Sequence, residues 1–191
     1  GVHIGHQKVI KEARQKAKKN NLPFGIITFE PIPVMFFNKT IKNHRINSLD
    51  QKKNQLNKFK LDFLIILKFN KSFSKLQANK FIEKVIYKKV KCKFLYVSNN
   101  FRFGFKRQGN IETLKKFAKL YNYKTIITEP LKKNFTTISS TAIRKKISQG
   151  KINLVNKLLN RNWCIQGKVI KGQMRGRKIG FPTCNLKINN Y

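Results

Sequence analysis

The chain has 191 residues, of which 43 are lysine or arginine and 7 are aspartate or glutamate, for a formal net charge of +36. That length holds one domain with a sizeable core and part of another. Cys92, Cys164 and Cys184 are too scattered for a disulfide framework or a cysteine metal cluster, and no apolar run suits a transmembrane helix or a signal peptide, so a soluble cytoplasmic protein is expected.

The opening segment Gly1-Val2-His3-Ile4-Gly5-His6-Gln7 sets two histidines around a glycine. Val9, Ile10, Ala13 and Ala17 then recur at helical spacing, so His3 and His6 fall at a helix start. Free backbone N–H groups there suit an anion. An imidazole can donate a hydrogen bond or add charge, and Gly5 permits close approach of backbone to ligand. An ordinary helix start with surface histidines is the other reading of these residues. A ligand loop in an open α/β sheet follows a strand. None precedes Gly1, so the chain is expected to lack the first strand of its sheet.

Phe24 to Phe29, Leu61 to Phe69 and Lys91 to Val97 are apolar, β-branched runs that read as buried parallel strands, and Lys124 to Thr128 is a fourth. Helical patterns lie between them, one on Phe81, Ile82, Val85 and Ile86, another on Ile111, Leu114, Phe117, Ala118 and Tyr121. This alternation predicts α/β layers around a parallel sheet. Glu30-Pro31-Ile32-Pro33 and the loop 98–109 follow strand ends, where such sheets bind ligands. Residues 139–148 and 152–160 read as two short helices broken at Gly150. Trp163 to Ile170 reads as a strand. A domain boundary is expected near Asn160, giving domains 1–160 and 161–191.

Three polar segments carry candidate chemistry. Ser139, Ser140 and Thr141 offer hydroxyls at a helix start, either as a cap or as phosphate ligands, and Arg144 lies one turn along with a bidentate fork. Asn100-Phe101-Arg102-Phe103-Gly104 alternates aromatics with polar groups. Its rings can wall a planar ligand or anchor the loop in the core, and Arg102 and Arg107 are phosphate or base candidates. Near the end, Gly176, Gly180 and Pro182 shape a turn that presents Thr183 and Asn185. Those oxygens can hold Mg²⁺ together with phosphate, or simply form a hairpin turn. Neither the P-loop pattern nor the dinucleotide glycine fingerprint is present.

Lysines and arginines are spread over every element, so a global compositional bias explains the charge more simply than a polynucleotide surface. Nucleic acid and membrane are not expected as partners. The excess like charge should cost stability at low salt.

In sequence order, these motifs resemble those of the bacterial bifunctional riboflavin kinase/FMN adenylyltransferases, also called FAD synthetases. Gly1 to Gln7 is similar to the second half of their Gly-x-Phe-Asp-Gly-x-His-x-Gly-His signature. Thr28-Phe29-Glu30-Pro31, the loop from Asn100 to Gly109, Ile138 to Arg144 and Gly167 to Asn185 are similar to four further family segments. The resemblance implies a Rossmann-like nucleotidyltransferase sheet flanked by helices, followed by the first part of a riboflavin kinase β-barrel. It implies riboflavin phosphorylation by ATP, then adenylyl transfer from ATP to FMN, giving FAD and pyrophosphate with Mg²⁺. His3, His6 and Arg144 would act on the phosphates, with Gly5, Ser139, Ser140 and Thr141 around them. Asn100, Phe101, Arg102, Phe103 and Arg107 would shape the flavin or nucleotide pocket. Gly176, Gly180, Pro182, Thr183 and Asn185 would place Mg-ATP for the kinase step.

Four positions depart from the family pattern. Ile32 stands where histidine is usual, Ser98 and Asn100 where glycine and aspartate are usual, and Cys184 where alanine is usual. Asn100 keeps acceptor capacity without the negative charge. The family also uses an upstream strand ending in Phe-Asp and a downstream glutamate that activates the riboflavin hydroxyl. The 191 residues alone are therefore expected to phosphorylate no riboflavin and to make little FAD. Another nucleotidyltransferase, a basic nucleic-acid-binding protein and an inactive remnant are the alternative readings.

Overall fold

Apolar runs and helix caps set the element order in a computed structural model of the protein, which describes residues 1–41, 44–133, 136–188 and 191. Helix α1 (Ile4–Lys19) leads to β1 (Gly25–Glu30), α2 (Pro33–Phe37), α3 (Leu49–Asn57) and β2 (Phe63–Lys68). Next come α4 (Lys71–Ser74), α5 (Ala78–Phe81) with a π-helical continuation (Ile82–Lys89), and β3 (Phe94–Ser98). A 3₁₀ turn (Phe105–Arg107), α6 (Ile111–Leu120), β4 (Lys124–Thr128), β5 (Lys132–Lys133) and β6 (Thr136–Thr137) follow. The last elements are α7 (Ser140–Ser148), α8 (Ile152–Leu159), β7 (Lys168–Ile170), α9 (Arg175–Lys178) and β8 (Asn185–Lys187).

The chain divides into two units, one of 5–40 and 61–137, the other of 1–4, 41–60 and 138–191. In the first, β1 pairs in parallel with β2 from Gly25↔Phe63 to Glu30↔Lys68, and β3 pairs in parallel with β4 from Phe94↔Lys124 to Ser98↔Thr128. The single parallel sheet expected from the sequence is thus two parallel pairs among the described residues. The long connections 31–62 and 99–123, which carry helices, give each pair the crossover that parallel strands need.

Helix α6 shows why these elements form. Asn110 accepts from the Thr113 N–H at 2.9 Å, and the Thr113 hydroxyl faces the Asn110 N–H, a capping box that fixes the start. Ile111, Leu114 and Phe117 then fall on one face. Leu114 is 0% exposed and lies in a core with Ala78, Phe81, Ile82, Val85, Ile86, Val97, Phe103 and Tyr123. Ile27, Phe29, Leu67 and Leu95 reach that core from the strands. Tyr123 enters it with its hydroxyl donating to the Leu114 carbonyl at 2.8 Å. Burial pushes that phenol up to about 12.

The second unit has a smaller core of Ile46, Ile143, Val155 and Leu159, with Ile147, Leu158 and Trp163 packed against it. Ser48 and Gln51 form the capping box of α3. Gly150, at φ +67, makes the turn between α7 and α8 that the sequence marked. The strand read from Trp163 to Ile170 is only Lys168–Ile170. The reason is polar. The Trp163 N–H donates to the Asn156 side-chain oxygen at 2.7 Å, and its indole N–H donates to the Ile46 carbonyl at 2.9 Å. Those bonds hold residue 163 against the helices instead of in a ladder. β7 and β8 pair antiparallel, Lys168↔Lys187 to Ile170↔Asn185, with every residue of both strands exposed.

Candidate functional site

Helix α7 begins where the sequence places a phosphate-type segment. Ser139 is its N-cap, and the Ser139 hydroxyl accepts from the Ala142 N–H at 3.1 Å. One of the three hydroxyls is therefore occupied by the helix itself, while Ser140 and Thr141 lie in the first turn. Arg144 donates through Nη2 to the Thr141 hydroxyl at 3.1 Å, which aims the guanidinium back toward the helix start.

The same unit holds His3, immediately ahead of α1, with 5% of its surface exposed. Burial, then the charges of the Gly1 amine and Arg161, push the His3 imidazole down to about 4. The ring is neutral at physiological pH, so it meets an anion as a hydrogen-bond donor rather than as a cation. Burial and the nearby charges of Lys52, Arg161 and Arg144 push the Gly1 amine down to about 5. His44 is lowered too, by burial and then by Arg144. Arg144 thus projects its charge onto both the chain start and His44. Burial lowers Arg144 itself, though a guanidinium keeps its proton.

Carboxylates are scarce in the sequence of this unit. Asp50 is its only acidic side chain, and Lys53 holds that carboxylate at 3.2 Å. Among the described residues, no ion pair involves Arg144 or Arg161. A helix start, a buried neutral imidazole and cations without carboxylates together favour a polyanion. His44, Lys52 and Arg161 were not singled out in the sequence. Their signal is spatial, since the sequence offers them only as three among many basic residues.

Gly5 and His6 belong to the other unit by way of α1, as do the strand-end loops. After β1 the Glu30–Pro31 peptide is cis, and Ile32 precedes α2 without a side-chain cap. After β3 the Ser98 hydroxyl donates to the Asn100 amide oxygen at 2.9 Å, so the two departures from the family pattern bond to each other. Asn99 donates to Glu129 at 3.0 Å, tying this loop to the end of β4. Phe103 and Gly109 exchange backbone hydrogen bonds at 3.1 and 2.9 Å, closing the loop. Phe103 is 8% exposed and belongs to the core, while Phe101 stacks on it with ring centroids 5.4 Å apart. Phe101 is half-buried, and Arg102 and Arg107 are exposed. Gly104, at φ +74, could not be replaced cheaply: a Cβ would stand 2.7 Å from the Ala78 backbone.

Near the chain's end, the Phe181 N–H donates to the Gly176 carbonyl at 2.8 Å, and Gly180 takes φ +83. Gly180, Pro182, Thr183 and Asn185 are all exposed. Among the described residues, no group of three or more His, Cys, Asp or Glu could hold a metal. The Thr183 hydroxyl and Asn185 amide oxygen are neutral, hard donors. They suit a Mg²⁺ that arrives with the phosphate oxygens of its nucleotide, because they bring no charge of their own. No helix among the described residues is long and apolar enough to cross a membrane.

Known proteins are similar to this chain. The family model described as FAD synthetase matches residues 1–142, and the one described as riboflavin kinase matches residues 159–191. A bifunctional riboflavin kinase/FMN adenylyltransferase of Buchnera aphidicola from Schizaphis graminum is 43% identical over 189 residues, covering 98% of this chain and 61% of that protein. The Escherichia coli K12 protein of the same name is 32% identical over 188 residues, covering 98% of this chain and 60% of its own length. A crystal structure from Streptococcus pneumoniae, titled a macrolide-efflux protein, superposes with a TM-score of 0.84 at 29% identity, covering 98% of this chain and 60% of that one. The chain therefore spans about three fifths of these relatives' length. On the match over residues 1–142, the chain belongs to the FAD synthetase family.

Proposed function

We propose that this protein acts in FAD biosynthesis, with its first module transferring an adenylyl group from ATP to FMN. The observation that carries the reading is the α7 start in one unit with buried His3 and the uncompensated Arg144. In the reaction, a phosphate oxygen of FMN attacks the α-phosphorus of ATP. The bond to the bridging oxygen breaks, and pyrophosphate leaves. No protein nucleophile is required, so catalysis consists of alignment and stabilisation of charge. His3 donates a neutral hydrogen bond to a phosphate oxygen. Arg144 grips the triphosphate with its fork, and the amides of Ser140 and Thr141 face it from the helix start. By the family resemblance, Gly5 and His6, in the first turn of α1, are read as phosphate-handling residues as well. Phe101, backed by Phe103, offers a flat face for the isoalloxazine or adenine ring, and Asn100, Arg102 and Arg107 edge it.

We read the larger unit as the Rossmann-like nucleotidyltransferase sheet and the segment after residue 160 as the first part of a riboflavin kinase barrel. Gly176, Gly180 and Pro182 there set Thr183 and Asn185 to bind Mg-ATP, whose metal would neutralise phosphate charge while riboflavin is phosphorylated. ATP, FMN and riboflavin are thus the substrates, and FAD the final product.

Calorimetric titration with ATP and FMN, joined to chromatographic detection of FAD from FMN, ATP and Mg²⁺, tests the reading. His6→Ala should slow transfer by about 10²-fold, the loss typical of one donor to developing charge. FMN affinity should stay within about twofold, since uniform binding is a separate quantity. Failure to bind ATP would sink the assignment, and equal single-turnover rates for both proteins would reject a catalytic role for His6.

A further inference from the structure

We propose that Arg161 is a positioning residue for adenylyl transfer: a guanidinium from the start of the second module holds the backbone that presents His3. The proposal rests on the reading of this site as an ATP cradle. Arg161 Nη2 donates to the Gly1 carbonyl at 3.2 Å and to the Asn47 side-chain oxygen at 2.9 Å. Nη1 donates to the carbonyls of Val2 and Leu159, each at 3.1 Å. All four acceptors are neutral oxygens. The half-buried cation is therefore held by a planar fork matched to four fixed positions, not by an ion pair.

The geometry at Val2 gives the fork its purpose. Val2 sits at φ +46, in the left-handed region, where a β-branched side chain is a rare and strained occupant. The carbonyls on either side of its Cα both converge on the one guanidinium. Its side chain is buried. Such a conformation persists only where surrounding contacts over-determine it, and here it turns the chain so that His3 enters the protein directly ahead of α1. Releasing the two carbonyls lets Val2 relax and swings the imidazole away.

Arg161 is itself fastened. Trp163 bonds to Ile46 and Asn156, and the Gln51 side chain donates to the Cys164 carbonyl at 3.1 Å. Residues 161–164 thus form a buckle across 46–51, the stretch that also supplies Asn47. The riboflavin kinase family model begins at residue 159, so this buckle is drawn from the second module's sequence although it completes the first module's site.

Arg161→Ala and Arg161→Lys in the full chain decide the matter. The alanine variant should lose about tenfold or more in kcat, the scale on which a misplaced catalytic group acts. Its KM for FMN should stay within about twofold, and added methylguanidine should restore several-fold of the lost rate. Lysine keeps the charge but not the planar fork, so its rate should fall in between. NMR titration of the histidine ring protons gives a second readout that needs no turnover. His3, near 4 in the unaltered protein, should move up toward 6.5 in both variants as the ring becomes solvated. A folded Arg161→Ala with kcat within about twofold, or with rate loss that methylguanidine does not touch, would overturn the proposal. If Arg161→Ala does not fold, Arg161→Lys and Asn47→Ala carry the same expectations in smaller measure. If the unaltered protein makes too little FAD for rates to be compared, failure to bind ATP decides against the adenylyl reading, and the imidazole alone decides the clamp: a His3 titration unmoved in the lysine variant overturns it.

Discussion

The two units are held together by different physics. The unit of 5–40 and 61–137 closes around a broad apolar core fed by strands and helices, with Leu114 and Ile82 fully buried. The unit of 1–4, 41–60 and 138–191 has a smaller buried cluster on Ile46, Ile143, Val155 and Leu159, and its distant segments are joined by side-chain hydrogen bonds from Arg161, Trp163 and Gln51. Apolar burial is non-directional and stabilises without fixing angles. Hydrogen-bond forks fix angles while adding little net stability. His3, Ser140, Thr141 and Arg144 lie in the second kind of environment, where orientation rather than bulk stability is maintained.

Substitutions in the two units should therefore differ in kind. The largest effect on stability is expected from Leu114→Ala, about 2–5 kcal/mol, because it leaves a cavity in a fully buried site. Urea unfolding measures it, and ATP affinity of the folded variant should not change. Arg144→Ala should invert that pattern. ATP binding should weaken by about 1.5–3 kcal/mol, the range for hydrogen bonds to charged groups, with the urea midpoint nearly constant. A large drop in midpoint with unchanged ATP affinity would erase the contrast between the units.

Removing a cap should give smaller and matched changes in both. Asn110→Ala and Ser139→Ala each lose a side-chain acceptor at a helix start and should each cost about 1 kcal/mol. Only the second should also alter ATP affinity. A gentler probe is pH. The unfolded chain takes up a proton at His3 near 6.5, whereas the folded protein resists until about 4. Stability should therefore fall as pH drops through that window, with this contribution fully present above 6.5. Urea midpoints measured across mild acid should show the slope, and His3→Gln should flatten it.

Short-range pattern explains what was legible in the sequence. Lys124–Thr128 forms the strand its β-branched run suggested, and Ile111, Leu114 and Phe117 mark the helix face on which Leu114 is buried. Each depends on neighbours within one turn or one strand. Ser139 reads either as a cap or as a phosphate ligand because the same hydroxyl chemistry serves both, and the structure shows the cap. Trp163 misleads because an apolar residue amid Cys164 and Ile165 looks like a strand, whereas its indole N–H bonds a carbonyl far back in the chain. Arg161 lies beyond any local pattern. It joins residues about 160 positions apart, and nothing in its immediate sequence distinguishes it from the many other basic side chains. The parallel pairing of β1 with β2 and β3 with β4 follows from alternation, but which strands become neighbours is a tertiary outcome.

Trp163 is the chain's single tryptophan, and its ring nitrogen is tied to Ile46 beside the Asn47 that Arg161 grips. The molecule thus carries a built-in optical reporter at its most informative joint. Emission excited selectively from that indole will track seating and release of the buckle, free of interference from any second tryptophan, and no label need be attached.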